Sequence, residues 1–326
     1  MRISERRDRI PKIFRLGLLS LILVSGPSHF GQTKQATSGV EQRWKKLEGE
    51  VDQIGTALDG VMGVAVLDLT DGRTLTRNAD QIFPTASSIK LAILLELYRQ
   101  DQDGRSGANG KAKLDDSYTF NPKDLIEDSQ IMAGLTPNVS RITNRDLAQF
   151  MVTVSDNAAT NLLYDRVGKD NVNAMLNGLG LTNTKLRRKM IDLAAARRGD
   201  ENVSTPHEMV LLLDAVHKGK VLNKEATAAF IAQLSTLKKS SYLSTLLPDG
   251  VQVADKPGDL DGVRTDSGIL FAPNRPFAIS VMTAWVRDHR AAEQAIAEVG
   301  LAAYNFFEMQ GKTTAYGRIL PPEDGK

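Results

Sequence analysis

The alternation of apolar and polar positions divides most of the chain into elements before its chemistry is considered. From Val40 to Leu58 the apolar residues fall at Val40, Trp44, Leu47, Val51, Ile54 and Leu58, the spacing of a helix with one buried face. Val61 to Leu69 (VMGVAVLDL) is a continuous β-rich run. Thr70-Asp71-Gly72-Arg73 is turn chemistry, and Thr74 to Asn78 returns, which predicts a hairpin. Ser87 to Gln100 (SSIKLAILLELYRQ) reads as a strongly apolar helix with a serine at its start.

Between Lys111 and Leu246 no β-branched alternation appears, and helical periods dominate. They cover Asn144 to Val154, Ala158 to Val167, Asp170 to Leu179, Pro206 to His217 and Lys224 to Leu237. Three strand-like runs follow, Val251 to Ala254, Val263 to Ala272 and Phe277 to Val286, and an amphipathic helix from His289 to Met309 closes the pattern. Short turns between sequential strands imply an antiparallel sheet. The expected fold is therefore α+β: a five-stranded antiparallel sheet flanked by terminal helices, with a second, all-helical lobe. The α/β lobe is expected over 40–86 and 247–310, the helical lobe over 87–246, and a flexible tail over 311–326. A ligand site belongs in the cleft between the lobes. Trp44 and Trp285 read as core, and His207 as a residue of a helix's first turn.

The first residues stand apart. Met1 to Arg15 carries six basic residues against two acidic ones, and the apolar run Leu16 to Val24 is too short to span a bilayer comfortably. Gly26, Pro27 and Ser28 break it, so residues 1–31 are expected to be a secretory signal peptide, with an uncleaved anchor as the alternative. The expected location is secreted or periplasmic. The whole chain has 41 Lys+Arg against 39 Asp+Glu, a net charge of +2, and removing the leader's +4 takes it to −2. That balance gives no basic footprint for nucleic acid. With no cysteine there is no disulfide framework, thiolate metal site or cysteine nucleophile. The four histidines, His29, His207, His217 and His289, have no metal-ligand spacing, so no metal or other cofactor is expected.

The candidate chemistry begins at Ser87-Ser88-Ile89-Lys90. One helical turn separates Ser87 from Lys90, so both project from one face. Serine becomes a nucleophile when a neighbouring base takes its proton, and a desolvated lysine can do so. Alone the pair is also an ordinary helix cap and a surface lysine. Two further motifs change that reading: Ser155-Asp156-Asn157 lies between two helices, and Lys256-Pro257-Gly258 ends a strand.

Together these are the S-x-x-K, S-D-N and K-T-G set, and the chain resembles the class A β-lactamases and penicillin-binding proteins, class A most closely. The segments that carry the likeness are Phe83 to Lys90 (FPTASSIK), Val154 to Leu163 (VSDNAATNLL) and Val253 to Gly258 (VADKPG), within a resemblance running from Val40 to Met309. It implies an acyl-enzyme on Ser87, with Lys90 as proton acceptor or relay and Ser155 passing a proton toward the leaving nitrogen. Asn157 would orient Lys90 and a substrate amide. Lys256 would face the substrate carboxylate, and the Ser87 and Asp259 backbone N–H groups, with Gly258 between the strands, would form the oxyanion hole. The implied partner is a small-molecule β-lactam or a peptidoglycan-like peptide, and the protein is expected to be a monomer.

Two departures alter the expectation. Pro257 stands where the family has Thr or Ser, removing a hydroxyl for the substrate carboxylate; Arg264 is the candidate to replace it, against the alternative of a solvated strand charge. In the loop Leu186 to Pro206, Lys189 or Met190 occupies the place of the glutamate that activates the deacylating water, and Asn202 replaces the aspartate that pairs with the loop arginine. Asp192, Asp200 and Glu201 are the available carboxylates. Asp192, nearest in sequence, is the candidate base, with a loop-bracing role as its alternative. The expected activity is hydrolysis of cyclic amides with altered deacylation. The alternatives are a D,D-peptidase-like protein that releases its acyl group slowly, and a non-hydrolytic binding module.

Overall fold

The computed structural model describes residues 38–238 and 241–321, so the leader lies outside the described residues. Helix α1 (Gly39–Ala57) starts where the Ser38 hydroxyl accepts the Glu41 N–H at 3.2 Å. Strands β1 (Val61–Asp68) and β2 (Thr74–Arg77) form the hairpin, with Leu67 opposite Thr74 beside its turn. After β3 (Phe83–Pro84), a 3₁₀ turn over Ala86–Ile89 leads into α2 (Lys90–Arg105). Strands β4 (Ser117–Thr119) and β5 (Arg141–Thr143) pair with each other. Helices α3 (Asn144–Thr153), α4 (Asn157–Val167), α5 (Lys169–Gly178) and the short α6 (Leu193–Arg197) follow. Next come β6 (Val203–Ser204), α7 (Pro206–His217) and α8 (Lys224–Leu234). Strands β7 (Val253–Leu260), β8 (Val263–Leu270) and β9 (Phe277–Ala284) and helix α9 (His289–Lys312) complete the chain.

The sheet is the five-stranded antiparallel one, in the order β2-β1-β9-β8-β7. Terminal helices cover one face because each offers one apolar stripe. Trp44 of α1 meets Phe306 and Phe307 of α9 edge-on at 5.3 and 6.4 Å, and Phe307 stacks on Phe277 of β9 at 4.3 Å. Truncating such a buried aromatic to alanine costs about 3–5 kcal/mol. The other face carries a cluster that runs without a break from Ala65, Ala278 and Met282 on the sheet to Leu91, Leu147 and Leu176 on helices. Helix α2 is buried along most of its length, and Leu91 to Leu95, Leu97 and Tyr98 make it the axis of this cluster.

Several expectations change. The helical lobe also holds the β4–β5 ladder, and the β3–β6 ladder ties it to the α/β lobe, each too short to show a two-residue alternation. Its α7 packs on β1, β8 and β9, so the lobe boundary does not divide the core. Lys256-Pro257-Gly258 lies inside β7 rather than ending it, because β7 is an edge strand and an edge tolerates proline. Trp285 is not core: it is 70% exposed, with φ +57°, at the turn out of β9. The tail begins later than expected, since α9 continues to Lys312 and the Leu320 N–H returns to the Lys312 carbonyl at 2.9 Å. Among the described residues no helix is long and apolar enough to cross a membrane.

Candidate active site

Three elements converge where β7 meets the helices. The β3–β6 ladder, Phe83 opposite Ser204, and the Thr85 N–H to Asn202 carbonyl bond at 2.9 Å hold the first segment in place. Ser87 sits on the 3₁₀ turn, not on α2 itself, and Lys90 is the first residue of the α-helix. A 3₁₀ turn has three residues per turn, so positions i and i+3 eclipse, which sets Lys90 behind Ser87. Ser155, in the loop between α3 and α4, has φ +58°, an uncommon conformation for a non-glycine residue and one that recurs at functional sites. Its neighbour Asp156 pins that loop. One Asp156 oxygen caps α4 through the Ala159 N–H at 3.0 Å, and the other accepts the Ile131 and Met132 N–H groups at 2.9 and 3.0 Å.

The side chains meet at Ser155. Its Oγ is 2.9 Å from Ser87 Oγ, 2.9 Å from Lys90 Nζ and 3.2 Å from Lys256 Nζ. Lys90 also donates to the Ser155 carbonyl at 2.7 Å and to Asn157 Oδ1 at 3.0 Å. Both lysines are 1% exposed. Burial, reinforced by the nearby Lys256 charge, holds Lys90 well below the ordinary lysine value, with Asp156, Asp259 and Asp128 opposing. Burial lowers Lys256 to about 8, against the raising influence of Asp266 and Asp255.

Gly258 is required by close approach. A Cβ there would lie 2.6 Å from the Ser87 nitrogen and 2.9 Å from the Ser88 nitrogen. Pro257, opposite Asp266, keeps the edge strand in register. Asp259, exposed, lines the same cavity of about 510 Å³ as Ser87, Ser155, Asn157 and Lys256. Arg264 reaches the cavity wall but is held there. Its Nε donates to Glu293 at 2.8 Å, and its Nη1 to the Leu260 and Val263 carbonyls at 3.0 and 2.8 Å.

The loop after α5 departs from the sequence expectation. Asp192 does not join the cavity lining: it is exposed and caps α6 by accepting the Ala195 N–H at 2.9 Å. Its carboxylate is thus engaged in a helix cap. Met190 lines the cavity, with its N–H and carbonyl both bonded to the Asn161 side chain at 2.8 and 3.2 Å. Ile191, also in the wall, has φ +60°, a strained value for a β-branched residue. The arginine's ionic partner is Glu201, 2.9 Å from Arg188, while Asn202 accepts the Arg187 and Arg188 N–H groups at 2.7 and 3.0 Å. Asp128 and His289 also line the cavity. Glu201 was legible as a carboxylate but not as the partner of Arg188. Asn161 was visible only inside its segment, and Glu293 gave no signal. His207 sits in the first turn of α7, 2.9 Å from Asp80.

A serine hydroxyl bonded to a second serine on which two buried lysines of depressed basicity converge is equipment for acyl transfer. On this scaffold it defines the class: β-lactamase-like serine hydrolases. The family model described as the beta-lactamase enzyme family matches residues 46–307, and the chain belongs to that family. The imipenem-hydrolyzing beta-lactamase of Enterobacter cloacae is 26% identical over 290 residues, covering 87% of this chain and 91% of that protein. The solved beta-lactamase of Sphaerobacter thermophilus DSM 20745 is similar with TM-score 0.72 at 28% identity, covering 81% of this chain and 97% of the other. A PBP-A variant, solved as its acyl-enzyme complex with penicillin G, is similar with TM-score 0.71 at 25% identity, over 81% of this chain and 97% of that one.

Proposed function

We propose that this chain is an exported serine hydrolase that opens β-lactam amides through an acyl-enzyme on Ser87 and releases the acyl group by an altered route. The carrying observation is the meeting of Ser87, Lys90 and Lys256 on the Ser155 hydroxyl within 3.2 Å. The basic, apolar leader supports export.

The proton path follows from counting donors. The Ser155 carbonyl and Asn157 Oδ1 can only accept from Lys90, and together they take two of its N–H groups. A neutral Lys90 has one lone pair left, facing Ser155 Oγ. Ser155 can then give its proton to Lys90 while taking the proton of Ser87 as the carbonyl is attacked. In the reverse direction Ser155 delivers a proton to the leaving nitrogen. The Ser87 and Asp259 N–H groups would receive the developing oxyanion, where losing one donor costs about 3–4 kcal/mol. Lys256, with Arg264 on the cavity wall, supplies positive charge for a substrate carboxylate.

Deacylation lacks the usual base, because Met190 offers no acceptor and Asp192 caps a helix. That observation favours a second reading: a penicillin-binding, D,D-peptidase-like protein with slow release. A binding module without turnover is disfavoured, since burying two lysines beside a serine costs free energy that recognition alone does not need.

The test follows product and intact mass together, with purified protein lacking residues 1–31 and a chromogenic cephalosporin. Steady product without a lasting adduct supports the hydrolase. A persistent adduct on Ser87 supports the slow-release reading. Neither product nor adduct overturns both.

A further inference from the structure

Two buried hydroxyls outside the reacting network join the nucleophile's turn to the sheet. Ser88 follows the nucleophile and Thr265 lies on β8, and both are 0% exposed. Their oxygens are 2.8 Å apart. Ser88 Oγ is also 2.8 Å from the Lys256 carbonyl on β7, and Thr265 Oγ1 is 3.0 Å from the Thr85 carbonyl.

Each hydroxyl has one proton, so the pair completes one chain of bonds at a time. In one, Thr265 donates to Ser88, and Ser88 to the Lys256 carbonyl. In the other, Ser88 donates to Thr265, and Thr265 to the Thr85 carbonyl. The Thr85 carbonyl already accepts the Ser88 N–H at 3.0 Å, so the first chain leaves no acceptor among these unmet. The first chain ties Ser88, just after the nucleophile, to β8 and to the Lys256 carbonyl of β7; the second ties Thr85 and Ser88, on both sides of Ser87, to β8, the strand paired with β7.

The fastening lies where tolerance is smallest. The Gly258 Cα, lacking a side chain, is packed against the Ser87 and Ser88 nitrogens and against Thr265 Oγ1, which a Cβ would meet at 2.8 Å. A small shift of the 3₁₀ turn therefore moves the Ser87 N–H relative to the backbone of β7.

We propose that the Ser88–Thr265 hydroxyl pair is a positioning device that holds the Ser87 and Asp259 backbone N–H groups at one separation for the oxyanion. This rests on the reading of Ser87 as the acylated nucleophile. Neither hydroxyl touches substrate; both act through the backbone they hold.

Thr265→Val removes the hydroxyl at nearly constant volume. Benzylpenicillin is the probe, with the acylation rate constant and the dissociation constant separated by rapid-quench mass analysis. The acylation rate is expected to fall roughly 10- to 100-fold, the scale of a misplaced donor. The dissociation constant should change less than about threefold, because a transition-state interaction is lost rather than uniform binding. Thr265→Ser, which keeps the hydroxyl, should recover most of the rate. Ser88→Ala reads the same bond from its other end if the valine variant does not fold.

A purely structural role would lower the melting temperature and leave the acylation rate of folded protein unchanged. That outcome overturns the proposal, as does a rate loss that Thr265→Ser fails to restore. Ser87→Ala separates the two readings. An adduct that survives it refutes Ser87 as nucleophile. An adduct lost with it, beside an unchanged rate in Thr265→Val, refutes the hydroxyl pair alone.

Discussion

Replacing Asp266 by asparagine should be tolerated at neutral pH, whereas the same change at Asp255 should destabilise the fold. The two carboxyls lie behind Lys256, on β8 and β7. Asp255 has both oxygens engaged: one pairs with Lys238 at 2.9 Å, and the other takes the Ser241 hydroxyl. Asp266 accepts the Tyr242 and Leu243 N–H groups with one oxygen, at 3.0 and 3.1 Å, and its other oxygen is buried with no partner that a carboxylate could use. Burial, then the Asp255 charge, pushes Asp266 well above the usual carboxylate range. A proton on the orphaned oxygen, shared with Asp255, resolves it. The cluster is then Lys238 positive, Asp255 negative and Asp266 neutral.

An asparagine at 266 keeps this balance, since its amide can donate to Asp255 and accept from the two N–H groups. At 255 it leaves the Lys238 ammonium, 3% exposed, without its anion, a loss of about 3–5 kcal/mol. The pH dependence is sharper evidence. Below about pH 4 Asp266 is protonated in folded and unfolded chains alike, and its ionisation contributes nothing to the difference. As pH rises, the unfolded chain ionises first, so the wild type loses stability relative to Asp266→Asn by about 1.4 kcal/mol per pH unit, up to the raised folded value. Urea unfolding at several pH values from 4 to 8 measures both slopes. Parallel wild-type and Asp266→Asn profiles over that range would mean that Asp266 is ionised in the fold and that the proton assignment is wrong.

The remaining expectations concern the reaction. Ser87→Ala should abolish the penicillin adduct seen by mass while leaving the circular dichroism spectrum unchanged; an adduct on the variant refutes the nucleophile. Lys90→Met should slow acylation by about 10²–10⁴-fold with little change in ligand dissociation, the scale of a lost general base. Lys256 is cationic below about 8, so kcat/KM for a carboxylate-bearing penicillin should fall as pH rises through that value, while a neutral ester should show no such limb. Met190→Glu should raise steady turnover more than the trapping rate, because the Asn161 side chain already holds the backbone at that position. An equal change in both rates would show that the loop does not act at deacylation.

How far the sequence reached depends on what kind of contact each residue makes. Helices were legible where a face is apolar over several turns, as at α7, whose limits Pro206 and His217 coincide with the pattern. The five strands were legible because β1, β8 and β9 are almost wholly buried runs. Strand β7 was shortened in the reading because its second half, Lys256 to Leu260, is polar and glycine- and proline-bearing while still paired to β8. Trp285 was misplaced because periodicity cannot show that the chain turns outward at that residue. In the site, Ser87, Lys90, Ser155, Asn157 and Lys256 were legible because their segments are local. Glu293 and Thr265 were not, since their partners lie 29 residues away in Arg264 and 177 residues away in Ser88.

The two halves of the proposed reaction are held by different means. The groups for acylation are held by devices of one or two residues each: a 3₁₀ turn, an aspartate that caps α4 and pins its loop, and a glycine where no side chain fits. In the proposed reaction, release falls to the loop from Leu186 to Pro206, which is braced within itself. There Arg188 takes Glu201 as its ionic partner, and Asn202 accepts the Arg187 and Arg188 backbone N–H groups. The loop contributes Met190 and Ile191 to the cavity wall beside Arg188, Glu201 and Asn202. A brace can be rebuilt from a neighbouring residue in this way, but a base must have its carboxylate at the attacking water. Asp192, two positions from Met190, has its carboxylate committed to a helix cap, so proximity in sequence does not become proximity in chemistry.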